Sequence, residues 1–246
     1  MIELKDICVN YENHLIYQHA YFSAKHNELT LVIGKSGSGK STLHQIITFQ
    51  DRGKCEYYYN DENMTILSDN QQKDFIRDKM GIVNQIPTFI DDLRIEDHIA
   101  LCQSMFNGYN IDKYIDRLGI REVMNEYPQQ LSGGEKIRVS ILLAMLHQPE
   151  ILVFDEPTAS LDKHHTQIIV QLLKEYAHQG HIVIIFTHDT FMKNEADVIY
   201  QIDNHTLNCI QCKKNVNKIK EEHFIRVNSK HYLQYIYQMF QHKRIF

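Results

Sequence analysis

The chain has 246 residues, 43% hydrophobic and 23% charged, with a formal net charge of −5. That is the make-up of an ordinary globular chain, and no apolar run approaches the roughly 20 residues of a membrane-spanning helix. Met1-Ile2-Glu3-Leu4-Lys5-Asp6 lacks the basic-then-apolar pattern of a secretion signal, and five scattered cysteines argue against a disulfide framework, so a cytosolic location is expected. In chain order, Ile2 to Tyr11 reads as a strand, Ala20 to His26 as a second short one, and Glu28 to Ile33 as a buried third. A helix is expected from Lys40 to about Phe49. Residues 50–75 are polar, with Cys55 to Tyr59 their one strand signal. Gly81 to Asn84 reads as a short buried strand ending at Gln85. From Leu93 to about Pro128 the pattern turns helical: Ile95, Ile99, Cys102 and Phe106 share one face, and a second helix fits Asp112 to Leu118, stopped by Gly119. A third runs from Gly133 to about His147. Alternation of strand and helix then resumes. Ile151 to Phe154 is an apolar run suited to a central parallel strand, Leu161 to about His178 a helix ended by Gly180, and His181 to Phe186 another buried strand. Val198 to Ile202 and Thr206 to Ile210 form a hairpin around Asn204-His205 at the sheet edge.

The stretch that organises this pattern is Gly34-Lys35-Ser36-Gly37-Ser38-Gly39-Lys40-Ser41, followed by Thr42. It is a phosphate-binding loop of the form G-x-x-x-x-G-K-[ST], entered from a strand and left through a helix. Its backbone N–H groups and the positive end of the helix suit a polyphosphate. Lys40 can reach the β- and γ-phosphates, and Ser41 offers a hydroxyl to Mg²⁺. Asp155 ends the strand at Phe154, at the carboxyl edge where such sheets bind ligands, and would hold Mg²⁺. Glu156, one residue on, could polarise a water aimed at the γ-phosphate. Ser132 and Glu135 in Leu131-Ser132-Gly133-Gly134-Glu135 form an S-x-x-E capping box, so a helix starts there with bare N–H groups suited to an anion; a plain capped helix would read the same. His188, just past Phe186-Thr187, is a substrate contact or a structural histidine. Cys209 and Cys212 form a C-x-x-C, either a metal or redox pair or two small residues near a terminal strand.

Together these elements resemble the ATP-binding-cassette ATPases over about residues 1–210. Gly34–Ser41 matches the Walker A loop, Gln85 the Q-loop, and Leu131–Glu135 the signature. Ile151–Asp155 with Glu156 matches Walker B and its glutamate, Ser160-Leu161-Asp162 the D-loop, and His188 the switch histidine. Tyr11 sits where the family stacks an aromatic on adenine. The resemblance implies an α/β P-loop NTPase (RecA-like) core with an antiparallel β subdomain and a helical subdomain inserted at about 86–150. It also implies ATP and Mg²⁺ as cofactors, with Ser41, Gln85 and Asp155 at the metal. Two ATPs would lie in a head-to-tail dimer, homomeric or with a related subunit, each met in trans by Ser132, Gly133, Gly134 and Asp162. Glu135 stands where the family commonly has glutamine, and Ile141-Leu142-Leu143 where it often has an arginine. The motifs look like the lipoprotein-release and macrolide- or peptide-export branch.

The resemblance implies the motor of a transporter whose separate integral-membrane permease subunits dock on Gln85 to Pro128. The chain would then lie on the inner face of the cell membrane, with no nucleic acid among its partners. The alternative is an ATPase without transport, such as that of iron–sulfur cluster assembly. Residues 211–246 form an extension: eight Lys and Arg against Glu221 and Glu222 give it +6 and leave −11 on the rest. Tyr232, Tyr235 and Met239 share a helical face. This extension packs on the core, trails in solvent, or lies against the permease or an anionic membrane.

Overall fold

The computed structural model describes residues 1–12, 14–51, 53–105, 111–189 and 191–213. The expectations for Phe106 and for the extension beyond Lys213 fall outside them.

Among the described residues, ten strands make two sheets. The larger has six strands in the order β10-β9-β3-β8-β7-β6, formed by β3 (Glu28–Ile33), β6 (Met80–Val83), β7 (Ile151–Asp155), β8 (Ile182–Thr187), β9 (Val198–Asp203) and β10 (Thr206–Cys212). All neighbours are parallel except β9 and β10, which form the expected edge hairpin. Asn204 and His205 turn it with φ of 46° and 62°, the two positive angles that a tight right-twisted hairpin needs. The hairpin strand continues to Cys212, beyond the expected Ile210. The smaller, antiparallel sheet has the order β2-β1-β4-β5, from β1 (Ile2–Tyr11), β2 (His14–Ala24), β4 (Lys54–Tyr59) and β5 (Glu62–Asn63).

The central strands are apolar on both faces because both are covered. Leu29, Leu31, Ile33, Leu152, Phe154, Val183 and Ile185 join one core cluster with α3 (Ile95–Met105), α4 (Asp112–Leu118), α5 (Gly133–Met145) and α6 (Lys163–Ala177). Their alternates Val32, Ile151, Val153, Ile182, Ile184 and Phe186 join the other, with the small sheet and α1 (Lys40–Ile47). This period of two decides the site. Asp155 continues the face of Ile151 and Val153, the side on which α1 packs.

Some expected boundaries move. The helix after the phosphate-binding loop stops at Ile47, not Phe49: Thr48 bonds back to the His44 carbonyl and Phe49 takes a φ of 56°. The second strand begins at His14, six residues early, and ends at Ala24. Its alternation is broken by a bulge, where Gln18 and His19 oppose Cys8 alone. The polar stretch contains a helix, α2 (Asp69–Lys79), opened by a reciprocal capping box between Ser68 and Gln71. None of the helices among the described residues is long and apolar enough to cross a membrane.

Candidate active site

The phosphate-binding loop joins β3 to α1. Gly39 starts the helix with a φ of 109°, and a Cβ there would lie 2.7 Å from Ile16 Cγ2 and 3.0 Å from the Tyr17 hydroxyl. Glycine is therefore required by both backbone angle and space. Tyr17 is fully buried and donates to the Gly39 carbonyl at 2.9 Å, bracing the loop from below. Its phenol is pushed far above its ordinary range by burial, so it stays a neutral donor. The Lys40 ammonium donates to the carbonyls of Gly34 at 2.8 Å and Lys35 at 3.3 Å, folding it over the loop. The Ser38 hydroxyl is buried inside the loop with no hydrogen-bond partner among the described residues. An unpaired buried hydroxyl is costly, and a phosphate oxygen would satisfy it.

Along the carboxyl edge of the sheet, Asp155 is half-buried. Burial and the neighbouring Glu156 charge push its carboxyl above the ordinary range, while Lys40 opposes the shift. Glu156 is buried and has a φ of 50°, in the left-handed region that a side chain with a Cβ rarely takes. That strain costs on the order of 1–3 kcal/mol and clusters at functional sites. Its N–H donates to the Phe186 carbonyl at 2.8 Å, which turns the side chain onto the end of β8. There one carboxylate oxygen lies 2.9 Å from His188 Nδ1. The other accepts from the Thr187 hydroxyl at 3.1 Å and the His188 N–H at 3.4 Å.

Tyr11, Ser36, Gly37, Gly39, Lys40, Ser41, Thr42, Gln85, Asp155, Glu156 and His188 all line one open cleft of about 680 Å³. Gly34, Lys35 and Ser38 border the adjoining hollow, which shares Ser36, Gly37 and His188 with it. Tyr11 projects at the mouth, 46% exposed, and donates to Asp51 at 2.6 Å. Ser132, Gly133, Gly134 and Asp162 do not border this cleft. Ser132 caps α5, exchanging bonds with Glu135 that hold the Glu135 carboxyl below its ordinary range. Asp162 caps α6, accepting from the His165 N–H at 2.8 Å. The two caps are neighbours, since a Cβ on Gly134 would lie 3.0 Å from the Ser160 carbonyl.

Sequence reasoning missed Tyr17 under the loop, Thr187 holding Glu156, Asp51 holding Tyr11, and His14 and Ile16 in the cleft wall. Thr187 had a signal, being next to His188 at the end of an apolar strand. Tyr17 had none, because its role follows from the crossing of two distant strands.

A family profile described as ABC transporter matches residues 17–159. The macrolide export ATP-binding/permease protein MacB of Vibrio parahaemolyticus is 31% identical over 199 residues, covering 78% of this chain and 30% of that protein. The same-named protein of Campylobacter jejuni is 29% identical over 210 residues, covering 82% and 33%. The chain thus spans about a third of the length of these relatives. A solved dimeric ATP-binding cassette in a post-hydrolysis state, bound to ADP and Pi, superposes with a TM-score of 0.75 at 26% identity, over 87% of this chain and all of that one. A second dimeric cassette, from a bacterial ABC transporter, gives 0.73 at 27% identity, over 84% and 96%. The expected P-loop fold and the export-branch resemblance are both borne out, and the chain belongs to the ABC transporter family as one of its ATP-binding-cassette ATPases.

Proposed function

We propose that the chain is the ATP-hydrolysing motor of an export system, working through integral membrane subunits outside this sequence. The observation that carries it is the gathering of loop, carboxylates and His188 around one cleft, with Ser132, Gly133, Gly134 and Asp162 outside it. The first group would bind and hydrolyse ATP; the second would close on the ATP of a head-to-tail partner, an identical or related subunit. The dimeric cassettes support this arrangement, since they superpose over nearly their whole length.

The residues present fit the ligands. Ser38 supplies a buried hydroxyl unpaired among the described residues, and Lys40 a cation hydrogen-bonded to loop carbonyls, both suited to phosphate oxygens. The Ser41 hydroxyl, the Asp155 carboxylate and the Gln85 side-chain oxygen are the hard donors that Mg²⁺ takes, and a cation there would relieve the repulsion between Asp155 and Glu156. Mg²⁺ would neutralise charge on the transferring phosphoryl group. Glu156 accepts a proton from the attacking water, and His188 holds the carboxylate oriented. Thr42 and the loop N–H groups of Gly34, Lys35, Ser36, Gly37 and Gly39 hold the phosphates, and Tyr11 offers its ring to the adenine.

Export is favoured because the relatives are named for macrolide export and carry a permease with their ATP-binding part. The chain would sit on the inner face of the membrane through that permease, docked by Gln85 to Pro128. Nothing observed favours the iron–sulfur assembly alternative. The test is fractionation of cells expressing the tagged chain, followed by identification of what co-purifies. A multi-span protein should co-purify from the membrane fraction. Recovery wholly in the soluble fraction, with no such protein, would sink the reading.

A further inference from the structure

The small sheet carries a second constellation that the ATPase does not use. Asp6 and Cys8 on β1 and His19 on β2 bring a carboxylate, a thiol and an imidazole together on the outer face. The Cys8 sulfur lies 3.8 Å from Asp6 Oδ1 and 3.7 Å from His19 Nδ1, and Asp6 Oδ1 lies 2.5 Å from the same ring nitrogen. None of the three lines the ATP cleft or its adjoining hollow.

Two irregularities produce this grouping. Between the pairs Leu4–Phe22 and Ile7–Ala20, Lys5 and Asp6 oppose Tyr21 alone. Between Ile7–Ala20 and Val9–Tyr17, Gln18 and His19 oppose Cys8 alone. Each strand therefore carries one of these two bulges. In each bulge one residue is left-handed, Asp6 at a φ of 53° and His19 at 50°. Ile2, Leu4, Ile7 and Val9 point inward, so strict alternation from Leu4 would have aimed Asp6 into the core. The first bulge turns Asp6 out beside Cys8, and the second does the same for His19. Bulges commonly re-aim a side chain in this way.

We propose that Asp6, Cys8 and His19 form a solvent-open site for Zn²⁺. A tetrahedral zinc with sulfur at about 2.3 Å and nitrogen or oxygen at about 2.0 Å sets its S···N and S···O separations near 3.5 Å, and its N···O near 3.3 Å. The two sulfur separations already match to within a few tenths of an ångström. Asp6 and His19 must part by about 0.8 Å, a small torsional change for two exposed side chains. Thiolate and imidazole select Zn²⁺ over Mg²⁺, so the site does not compete for the metal of ATP hydrolysis. Three protein ligands leave the fourth position to water or to a donor from a partner.

The test titrates the full chain with Zn²⁺, then with Co²⁺, in excess Mg²⁺, using an indicator chelator and the absorption of the cobalt complex. Parent protein should bind one Zn²⁺ and show a cobalt–thiolate charge-transfer band. Cys8→Ser should abolish the band, and Cys8→Ser and His19→Ala should each weaken Zn²⁺ binding about tenfold or more, the loss expected when a zinc site is disturbed. Both variants should bind ATP like the parent, which reports intact folding. A double Cys209→Ser, Cys212→Ser variant should retain the site. Absence of stoichiometric Zn²⁺ binding, binding indifferent to Cys8→Ser and His19→Ala, or binding lost only in the Cys209, Cys212 variant would each overturn the assignment.

Discussion

Replacing Glu156 by glutamine separates catalysis from folding at this site. The carboxylate is buried and accepts from the Thr187 hydroxyl and the His188 N–H on one oxygen, and meets His188 Nδ1 on the other. A glutamine can keep its carbonyl oxygen on the first two donors. Its amide then faces His188 Nδ1, which can accept once the ring proton moves to Nε2, since neutral imidazole has one donor and one acceptor nitrogen. The bonds are conserved, and a neutral amide is easier to bury than a carboxylate. Folding stability should therefore change by less than about 1 kcal/mol. The chemistry suffers far more, because an amide cannot take the proton of the attacking water. A general base is typically worth about 10²–10⁴-fold, or roughly 3–5.5 kcal/mol of transition-state stabilisation. Steady-state phosphate release should fall by that factor while calorimetry shows unchanged ATP affinity. Gel filtration with Mg-ATP should show the variant trapped as a dimer. Glu156→Ala is the contrasting control: it strands the Thr187 hydroxyl and the His188 amide without an acceptor, at about 1–3 kcal/mol of stability. Turnover of Glu156→Gln within a few-fold of the parent would refute the assignment of Glu156 as base.

Lys40→Ala should abolish ATP binding by calorimetry, because only Lys40 brings a cation over the loop carbonyls of Gly34 and Lys35 among the cleft residues; near-parental affinity would contradict its role. A mixed dimer of one Ser132→Arg and one Lys40→Ala subunit should place both lesions on the same composite site. It should then keep more ATP binding than either variant homodimer, and failure to do so would argue against the head-to-tail arrangement. His44 on α1 is buried edge-on against Phe186, and burial lowers its pKa from 6.5 to about 4. The unfolded chain thus takes up this proton first, so the stability is present above about pH 6.5 and is lost as the pH falls towards 4. At about 1.4 kcal/mol per tenfold change in proton affinity, the loss is about 3 kcal/mol. Urea unfolding at pH 7 and pH 4.5 should show His44→Leu losing less stability than the parent, and equal losses would remove His44 from the acid response.

The larger sheet was legible because its strands are buried on both faces and read as apolar runs: Leu31 to Ile33, Ile151 to Phe154, Ile182 to Phe186. Such runs tolerate no ambiguity of phase. The small sheet was less legible for the opposite reason. Its strands have one wet face, so the signal is alternation, and each bulge resets the phase. His14 to His19 consequently failed to read as the first half of β2. Helix α2 was hidden by composition. Gln72 is its one buried residue and Phe75 and Ile76 are only partly covered, so no apolar stripe was available. Its start was nevertheless marked, because Ser68 and Gln71 form the same kind of capping box as Ser132 and Glu135. The site was legible wherever the chemistry requires consecutive residues, as in the loop and in Asp155-Glu156. It was illegible where distant strands supply a brace, as with Tyr17 and Asp51.

The glycines that start α5 show why a motif can be plain in sequence while its purpose is not. Gly134 has a reason within its own chain: a Cβ there would come within 3.0 Å of the Ser160 carbonyl and 3.2 Å of Leu161 Cδ2, so the cap of α5 could not rest against the turn before α6. Gly133 has no such reason. A Cβ there would meet only Ser160, at an ordinary 3.5 Å, and alanine would favour a helix more than glycine does. Its bareness therefore weakens the helix without serving any contact inside the chain. Ser132 and Asp162, capping adjacent helices, turn the same corner of the molecule outward, away from the cleft that holds Lys40 and Glu156. A helix start left bare by a glycine that its own chain does not require is suited to an anion carried by another molecule. In the proposed head-to-tail pair that anion would be the γ-phosphate lying in the partner's loop, and the dimer would then account for the glycine that its own fold does not explain.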